Sequence, residues 1–250
     1  MSFRQGARQF FERRGGGGWQ NPYVTDGLVA MWDGEWNAGG GVHDASKRAV
    51  DLSDNSRDLT LSADCTIGDN YFALAPSPSE SRIGGTVSIP ELAGQSLLEF
   101  RIVAKFNGAD SWNRHCFYSS ENTLYEQNYS HQDSFCLIPG LLLDGNLALQ
   151  YNLTIPCGDT FSLCTQCRQV NYDGRNSYTL WLDGVSSVKS PSGTFRQSSD
   201  TSTNLHILKM AASSVDQTGY IYSFAIYNRF LTDAERDVNY AIDKARFNLP

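Results

Sequence analysis

The sequence predicts an all-β protein made of two packed antiparallel sheets. Short β-prone segments alternate with turn signals, and Asp-Gly pairs begin at positions 26, 33, 144, 173 and 183. A helical pattern is nearly absent before the end of the chain. The 250 residues, of which 40% are apolar and 12% aromatic, suffice for one large core. No repeat of about 20 to 50 residues is present, which argues against solenoids and propellers.

The first 18 residues differ from the rest and predict a basic anchor with a glycine linker, followed by one domain over 19–250. Phenylalanines recur at helical spacing among arginines in MSFRQGARQFFERR, and Gly15–Gly18 form a flexible joint. We expect this segment to dock into a partner protein. The docking residues would be Phe3, Arg4, Phe10, Phe11, Arg13 and Arg14. Weak membrane-surface binding, a transit peptide and a disordered start remain alternatives.

The segment SLLEFRIVAKF predicts a long central strand. Its apolar residues alternate with charged ones, which is the period-two pattern of a strand with one buried face. The predicted inner residues are Leu98, Phe100, Ile102, Ala104 and Phe106. The other face carries Glu99, Arg101 and Lys105.

The second half of the chain predicts two hairpins, an inner strand and one helix. LLLDGNLALQYN and SYTLWLDGVSSV each place Asp-Gly between β-prone runs, whereas GYIYSFAIYNRF is apolar on both faces. Thr232 and Glu235 fit a capping box. An amphipathic helix then follows to about Arg246, with apolar positions at Ala234, Val238, Ala241, Ile242 and Ala245.

Three stretches resemble the laminin G-like branch of the concanavalin A-like lectin and glucanase superfamily. The segments DGLVAMWDGEWN and DLSDNSRDLTL are similar to its opening strand and Asp-Leu-Ser-Gly-Asn loop, although Asp54 replaces the usual glycine. YTLWLDGV is similar to a hairpin of the family. GYIYSFAIYNRFLTDAERDVNYAIDKARF is similar to its closing strand, turn and helix. The resemblance implies an antiparallel jelly-roll β-sandwich with one short C-terminal helix.

With its basic N-terminal segment, no secretory signal, and this closing strand, turn and helix, the chain most resembles laminin G-like proteins of tailed bacteriophages and prophages. This resemblance implies a structural protein on the virion surface, made in the host cytoplasm. Its anchor would hold a virion partner. Its lectin-like domain would bind glycan or host surface. The alternatives are a capsid or tail decoration protein without its own ligand, and a glycan-degrading hydrolase. Because one fold hosts all of these, the sites must decide.

The candidate site residues favour binding over catalysis. The paired carboxylates of the superfamily's retaining glucanases, Glu-x-Asp-x-x-Glu, are missing, so we expect no enzyme. Residues 108–134 predict a long loop with aromatic and polar groups of the kind that bind sugars. The predicted glycan-binding residues are Trp112, Asn113, Arg114, Tyr125, Asn128, Tyr129 and His131. Aromatics that only cover a sheet edge or a neighbouring subunit are the alternative.

Two metal sites are weaker predictions, and neither metal is required. Cys157, Cys164 and Cys167 supply three thiolates for a structural zinc, with Cys136 or His131 as the fourth ligand. A loop disulfide and unpaired thiols are the alternatives, and thiols suit a chain without a secretory signal. Asp51, Asp54, Asn55 and Asp58 would suit calcium, although a solvated turn rich in Asx residues is the preferred interpretation.

Charge and hydropathy exclude two partners. The formal net charge of −7 argues against nucleic acid, because general affinity for phosphates comes from Lys and Arg. No apolar run reaches the length of about 18 residues that crosses a bilayer. The expected partners are a virion protein and a cell-surface glycan, and the oligomeric state stays open.

Overall fold

The computed structural model describes fifteen segments of the chain. They are residues 21–39, 47–61, 65–74, 85–90, 97–106, 113–120, 125–131, 134–140, 142–143, 146–147, 153–156, 158–168, 178–189, 204–207 and 219–250. The predicted anchor, with its docking residues Phe3, Arg4, Phe10, Phe11, Arg13 and Arg14, lies outside them. The division at residue 18 therefore stays a prediction.

The described part of the chain is mostly β-strand. The strands are β1 Leu28–Asp33, β2 Arg48–Ala49, β3 Leu59–Leu61, β4 Cys65–Ile67, β5 Phe72–Leu74, β6 Gly85–Ser88, β7 Leu97–Phe106, β8 Asn113–Ser120, β9 Tyr125–His131, β10 Ser134–Gly140, β11 Leu142–Leu143, β12 Asn146–Leu147, β13 Leu153–Pro156, β14 Thr160–Arg168, β15 Tyr178–Leu182, β16 Val185–Lys189, β17 Asn204–Ile207 and β18 Gly219–Tyr227. Helix α1 spans Gly34–Gly39 and helix α2 spans Asp233–Phe247. Within these segments the helix that closes the chain is confirmed.

Two antiparallel sheets form a β-sandwich, which confirms the predicted fold class. Sheet A has the order β16-β15-β14-β7-β18-β5-β4, and β1 pairs with the second half of β18. Sheet B has the order β13-β10-β9-β8-β17-β6-β3-β2. The short hairpin β11-β12 stands apart. Both predicted hairpins form, and Asp183 and Gly184 have the positive φ angles that the tight turn requires.

The core fills the space between the inner faces of the sheets. Phe100, Ile102 and Ala104 of β7 are buried, as their alternation predicts. Phe224 of β18 lies next to Phe100 and Trp32, with ring centroids 6.4 and 6.1 Å away. Such contacts between large rings supply much of the apolar area that stabilises the sandwich.

The outer face of β7 departs from the prediction of a strand with one buried face. Glu99 and Arg101, placed on the charged side by alternation, are 0% and 3% exposed. They are buried because α2 packs on the outside of sheet A and covers them. Within the described residues, therefore, β7 is covered on both faces along this part of its length.

Helix α2 packs in the opposite sense to its apolar pattern. Its buried residues are polar or charged, namely Arg236, Asn239 and Asp243. Its exposed residues include four of the predicted apolar positions, namely Ala234, Val238, Ala241 and Ala245. Of the predicted set, Ile242 packs against the small cluster around Tyr23 and Trp36. The helix is amphipathic, but its polar side meets the sheet.

The N-terminus of α2 has the predicted capping box. The Thr232 hydroxyl accepts a hydrogen bond from the Glu235 backbone N–H, and the Glu235 carboxylate accepts one from the Thr232 backbone N–H at 2.7 Å. Arg229 donates two further bonds to this carboxylate. The Arg229 bonds, and then the Thr232 backbone, lower the pKa of Glu235 from 4.5 to about 2.

We expect Glu235→Gln to lower the free energy of unfolding at pH 7, and the difference from wild type to vanish in acid. A carboxyl group with a lowered native pKa stabilises the fold above its unfolded pKa of 4.5, and this contribution is lost as the pH falls through about 2. Urea unfolding at pH 7, 4 and 2.5 measures it. Asp237→Asn, an exposed carboxylate in the same helix, is the control and should change stability little. A pH-independent difference would contradict the assignment.

Candidate functional site

The predicted glycan-binding residues lie on strands rather than on a long loop. Asn113 and Arg114 belong to β8, and four others belong to β9, namely Tyr125, Asn128, Tyr129 and His131. Strands β8 and β9 pair with each other, and β9 also pairs with β10. The loop prediction for residues 108–134 is therefore wrong where the structure describes it. Trp112 lies outside the described residues.

Register divides the predicted set between the two faces of sheet B. Arg114 pairs with Tyr129, and positions 125, 127, 129 and 131 alternate onto one face. Asn113 pairs with Ser130, and Asn128 pairs with His115, on the other face. The larger group therefore comprises Arg114, Tyr125, Tyr129 and His131, and we call its location the β8–β9 face. Asn113 and Asn128 lie on the opposite face of the sheet.

Register also relates the positions of the β8–β9 face to the rest of sheet B. Tyr125 is in register with Ser119, and Ser119 with His206. His206 is in turn in register with Thr86. Residues paired in this way share one face. Thr86 is the neighbour on β6 of Val87, which is buried in the core, so the positions in register with Thr86 belong to the other face of sheet B.

The cysteines of the predicted zinc site are distributed over both sheets. Cys164 and Cys167 are three residues apart on β14, hence on opposite faces, and Cys136 lies on β10 of sheet B. Cys157 is outside the described residues. Among the residues that the structure describes, no three His, Cys, Asp or Glu side chains group to hold a metal. Zinc ligation by Cys136, Cys157, Cys164 and Cys167 stays a prediction.

Cys164 instead contacts the charged residues beneath α2. Its Sγ donates a hydrogen bond to Oε1 of Glu99 at 3.0 Å, and it is a thiol rather than half of a disulfide. Burial, followed by the neighbouring Glu99 carboxylate, raises the pKa of this thiol well above its ordinary value. A protonated thiol is a poor nucleophile and a poor metal ligand.

Glu99 forms the first part of a buried ionic network between sheet A and α2. Its carboxylate accepts hydrogen bonds from Arg236 and from the backbone N–H of Leu231 at 3.0 Å. Gln166 and Cys164 donate the others. The Arg236 guanidinium also stacks on the Trp181 ring, 3.8 Å from its centroid. The bonds from Arg236 and Leu231 therefore fix the start of α2 to sheet A, while Gln166 and Cys164 of β14 satisfy the rest of the carboxylate.

Asp243 forms the second part of the network, about two helical turns after Arg236 on α2. Arg101 donates to both of its carboxylate oxygens, and the Tyr23 hydroxyl and Ser162 hydroxyl donate at 2.8 and 3.1 Å. Asp243 is fully buried. Burial, counteracted in part by Arg101 and Arg246, raises the pKa of Tyr23 above its ordinary value. Tyr23 therefore stays a hydrogen-bond donor.

A third ion pair holds the end of α2. Arg246 donates to both oxygens of Asp33, at 2.7 and 2.9 Å, and to Glu35 of α1 at 2.9 Å. Its guanidinium lies 4.3 Å from the centroid of the Trp36 ring. Asp33 is fully buried at the end of β1. The three ion pairs thus fix α2 along its whole length.

A small cleft opens between α2 and the β14–β15 strands. It has a volume of about 30 Å³, which holds one or two water molecules but not a sugar ring. Its lining includes Trp181, Tyr240, Gly184 and Cys164. A side chain at Gly184 would lie 2.7 Å from the Tyr240 ring, so only glycine allows this turn to meet the helix. The cleft belongs to the seam that joins α2 to sheet A.

The Asx-rich loop after β2 is a structural clamp on β1. The buried Asp51 carboxylate accepts hydrogen bonds from the backbone N–H groups of Met31, Ser53 and Arg57, at 2.8 to 2.9 Å. Asn55 donates to the Val29 carbonyl at 2.8 Å. The Asp51 oxygens thus accept hydrogen bonds from backbone donors, as expected for an Asx-rich turn rather than a calcium site.

Solved structures with the same fold are receptor-binding domains of botulinum neurotoxins. The domain of the C/D mosaic serotype matches with a TM-score of 0.62 and 14% identity. The serotype D ligand-binding domain in complex with N-acetylneuraminic acid matches with a TM-score of 0.59 and 13% identity. Each match covers 91% of this chain and 55% of the solved chain. The fold is a lectin-like β-sandwich.

This chain spans about half the length of those structures, and at such identity the likeness concerns the fold alone. No protein-family model matches the sequence, and no curated protein matches it. The β-sandwich fold that the sequence resemblance implies is confirmed by the structure and by these likenesses.

The ionic network is the feature that sequence reasoning missed. Alternation in β7 predicts that Glu99 and Arg101 face solvent, because alternation alone does not reveal that a helix packs on the outside of the sheet. A signal was present in α2, where Arg236, Asn239, Asp243 and Arg246 recur at helical spacing. A polar helix face opposite a polar strand face would have pointed to the ion pairs between them.

We expect Asp243→Asn to lower the free energy of unfolding by about 3–5 kcal/mol, because it leaves the buried Arg101 charge without its partner. The double variant Arg101→Met/Asp243→Leu should recover much of this loss, since it removes both charges. Urea unfolding of Asp243→Asn, of the singles Arg101→Met and Asp243→Leu, and of the double variant measures the loss and the coupling. Asp26→Asn, in an exposed pair with Arg229, should cost less than about 1 kcal/mol. Equal effects at both sites would refute the assignment.

Proposed function

We propose that this protein is a non-enzymatic recognition protein of a virion surface, whose lectin-like sandwich binds a carbohydrate. The observation that carries the proposal is the lectin-like fold combined with the β8–β9 face. Register places Arg114, Tyr125, Tyr129 and His131 on one face of sheet B. Aromatic rings stack on sugars, and the guanidinium and imidazole groups can read hydroxyl or carboxylate groups.

The likeness to glycan-binding proteins supports this assignment. One botulinum neurotoxin domain of the same fold was solved with N-acetylneuraminic acid. Another was solved with SialylT, at a TM-score of 0.60 and 10% identity, covering 87% of this chain and 52% of that one. Carbohydrate binding by this chain follows as a proposal from the shared fold and its own residues.

The state of the buried carboxylates supports binding rather than turnover. General acid and base catalysis on a glycosidic bond needs two carboxyl groups open to the substrate. Glu99 and Asp243 are both fully buried and engaged by Arg236 and Arg101. Neither is placed to reach a sugar while α2 covers it.

Placement on a virion rests on the first 18 residues. The sequence predicts a short basic amphipathic segment from their arginines and phenylalanines, with Gly15–Gly18 as the linker to the domain. A tethered lectin-like domain of this kind can turn outward from a particle and sample surfaces nearby. The segment would supply attachment, and the sandwich recognition.

Tyr129→Ala tests the β8–β9 face. On a microarray of neutral oligosaccharides and oligosaccharides ending in N-acetylneuraminic acid, we expect this variant to bind about tenfold more weakly than wild type, as one stacking contact is lost. Tyr129→Phe keeps the ring and should bind nearly as wild type. Ser88→Ala, three strands away in the order of sheet B, is the position control. Unchanged binding by Tyr129→Ala would exclude this face.

Removal of residues 1–18 tests the attachment. In the source culture, we expect full-length chain to co-sediment with purified particles and the truncated chain to stay in the supernatant. Sedimentation of both would place the attachment in the sandwich. If neither sediments, the virion assignment fails. Sedimentation without any sugar binding would instead favour a decoration protein.

A further inference from the structure

Helix α2 covers only part of the outer face of sheet A. It ends at Phe247, whose ring centroid lies 5.2 Å from that of Tyr222 on β18. Beyond this contact the same face continues with Tyr220 of β18 and Tyr71, just before β5, whose ring centroids are 4.6 Å apart. All three tyrosines are partly exposed. We call Tyr71, Tyr220 and Tyr222 the tyrosine patch.

The patch continues into a row of residues in register on four strands, and the row ends with the polar residues Lys105 and Thr160. Tyr220 is in register with Ala73 of β5 on one side and with Lys105 of β7 on the other. Lys105 is in register with Thr160 of β14. Neighbouring strands are about 4.8 Å apart, so this row is about 14 Å long. Both Lys105 and Thr160 are partly exposed, which leaves an ammonium group and a hydroxyl beside the rings.

The rings of the patch are held in place before any ligand arrives. A Cβ atom at Gly68 would lie 2.4 Å from Cε2 of Tyr71, so that ring packs directly on the glycine. The Gly68 backbone N–H also donates to the Tyr71 carbonyl at 2.8 Å. Tyr222 shares a hydrogen bond with the Thr160 side chain and packs on Phe247. Fixed rings lose little conformational entropy on binding.

We infer that the tyrosine patch is a second carbohydrate-binding site, distinct from the β8–β9 face. Its tyrosine rings would stack on the apolar faces of pyranose rings, and Lys105 with Thr160 would bind hydroxyl or carboxylate groups. This inference rests on the proposal that the domain binds carbohydrate. Because the two sites lie on different sheets, one domain would bind two glycan chains at once.

The chemistry of the patch favours a carbohydrate over a protein partner. Its rings all carry hydroxyl groups. Lys105 and Thr160 follow Tyr220 in register, and the exposed Asn70 precedes Tyr71. Lysine is depleted in protein interfaces, and Lys105 is in register with Tyr220 beside these rings, which favours a carbohydrate as the ligand.

Tyr220→Ala and Tyr71→Ala, each in the full chain, test the site on the oligosaccharide microarray described above. We expect both to lower binding of at least one sugar class about tenfold. Tyr220→Phe keeps the ring and should bind nearly as wild type. Thr60→Ala, an exposed position on β3 of the other sheet, is the control. Thermal unfolding of each variant verifies that the fold persists, and Lys105→Glu, which leaves the rings in place, provides a second route if Tyr220→Ala unfolds.

The outcomes separate this inference from the proposed function. Loss of different sugars by Tyr220→Ala and Tyr129→Ala, with two sugar molecules bound per wild-type chain, would establish two sites. Loss through Tyr129→Ala alone would overturn the second site and leave the proposed function standing. Loss through Tyr220→Ala alone would keep the patch and exclude the β8–β9 face.

Two further outcomes would overturn the carbohydrate assignment of the patch. A patch variant that keeps sugar binding but no longer sediments with particles would make the patch a protein-docking surface. A wild-type chain that binds no sugar would overturn both proposals.

Discussion

The arrangement of the described structure depends on how charged residues are buried between sheet A and α2. Glu99 and Arg101 point outward from the central strand β7, and without a cover they would face water. Helix α2 supplies Arg236 and Asp243 in the complementary order, and Arg246 adds a pair with Asp33 of β1. Removal of a charge from water is costly unless it is paired and hydrogen-bonded. Each ion pair therefore fixes both the position and the register of the helix.

This polar interface explains why α2 presents its apolar residues outward. A helix that docked through Val238 would leave Glu99 and Arg101 buried without partners, which costs more than the exposure of one valine and several alanines. Buried ion pairs are weak evidence for net stability, because a well-packed apolar interface of the same shape is often as stable. We expect their contribution here to be specificity, since a helix docked in another position would leave these charges buried without partners.

The same helix divides sheet A into a covered part and an accessible part. The covered part holds the ionic network and a cleft too small for a sugar ring, so it serves the fold. The accessible part begins where Phe247 ends the helix and continues through Tyr222 to Tyr220 and Tyr71. Within the described residues, α2 covers neither the tyrosine patch on sheet A nor strands β8 and β9 of sheet B, where the two proposed sites lie.

Local signals in the sequence determined the secondary structure and the class of fold. Alternation in β7, the Asp183-Gly184 turn, the Thr232–Glu235 capping box and the helix that follows were all predicted, because each depends on residues near one another in the chain. The tertiary structure decided which polar residues are buried. Glu99 and Arg236 are 137 residues apart, and only the packing of α2 on sheet A joins them. It also made the predicted loop around Arg114 and Tyr129 a hairpin of paired strands, because the hairpin is joined to sheet B by the pairing of β8 with β17, a distant segment that no local pattern reveals.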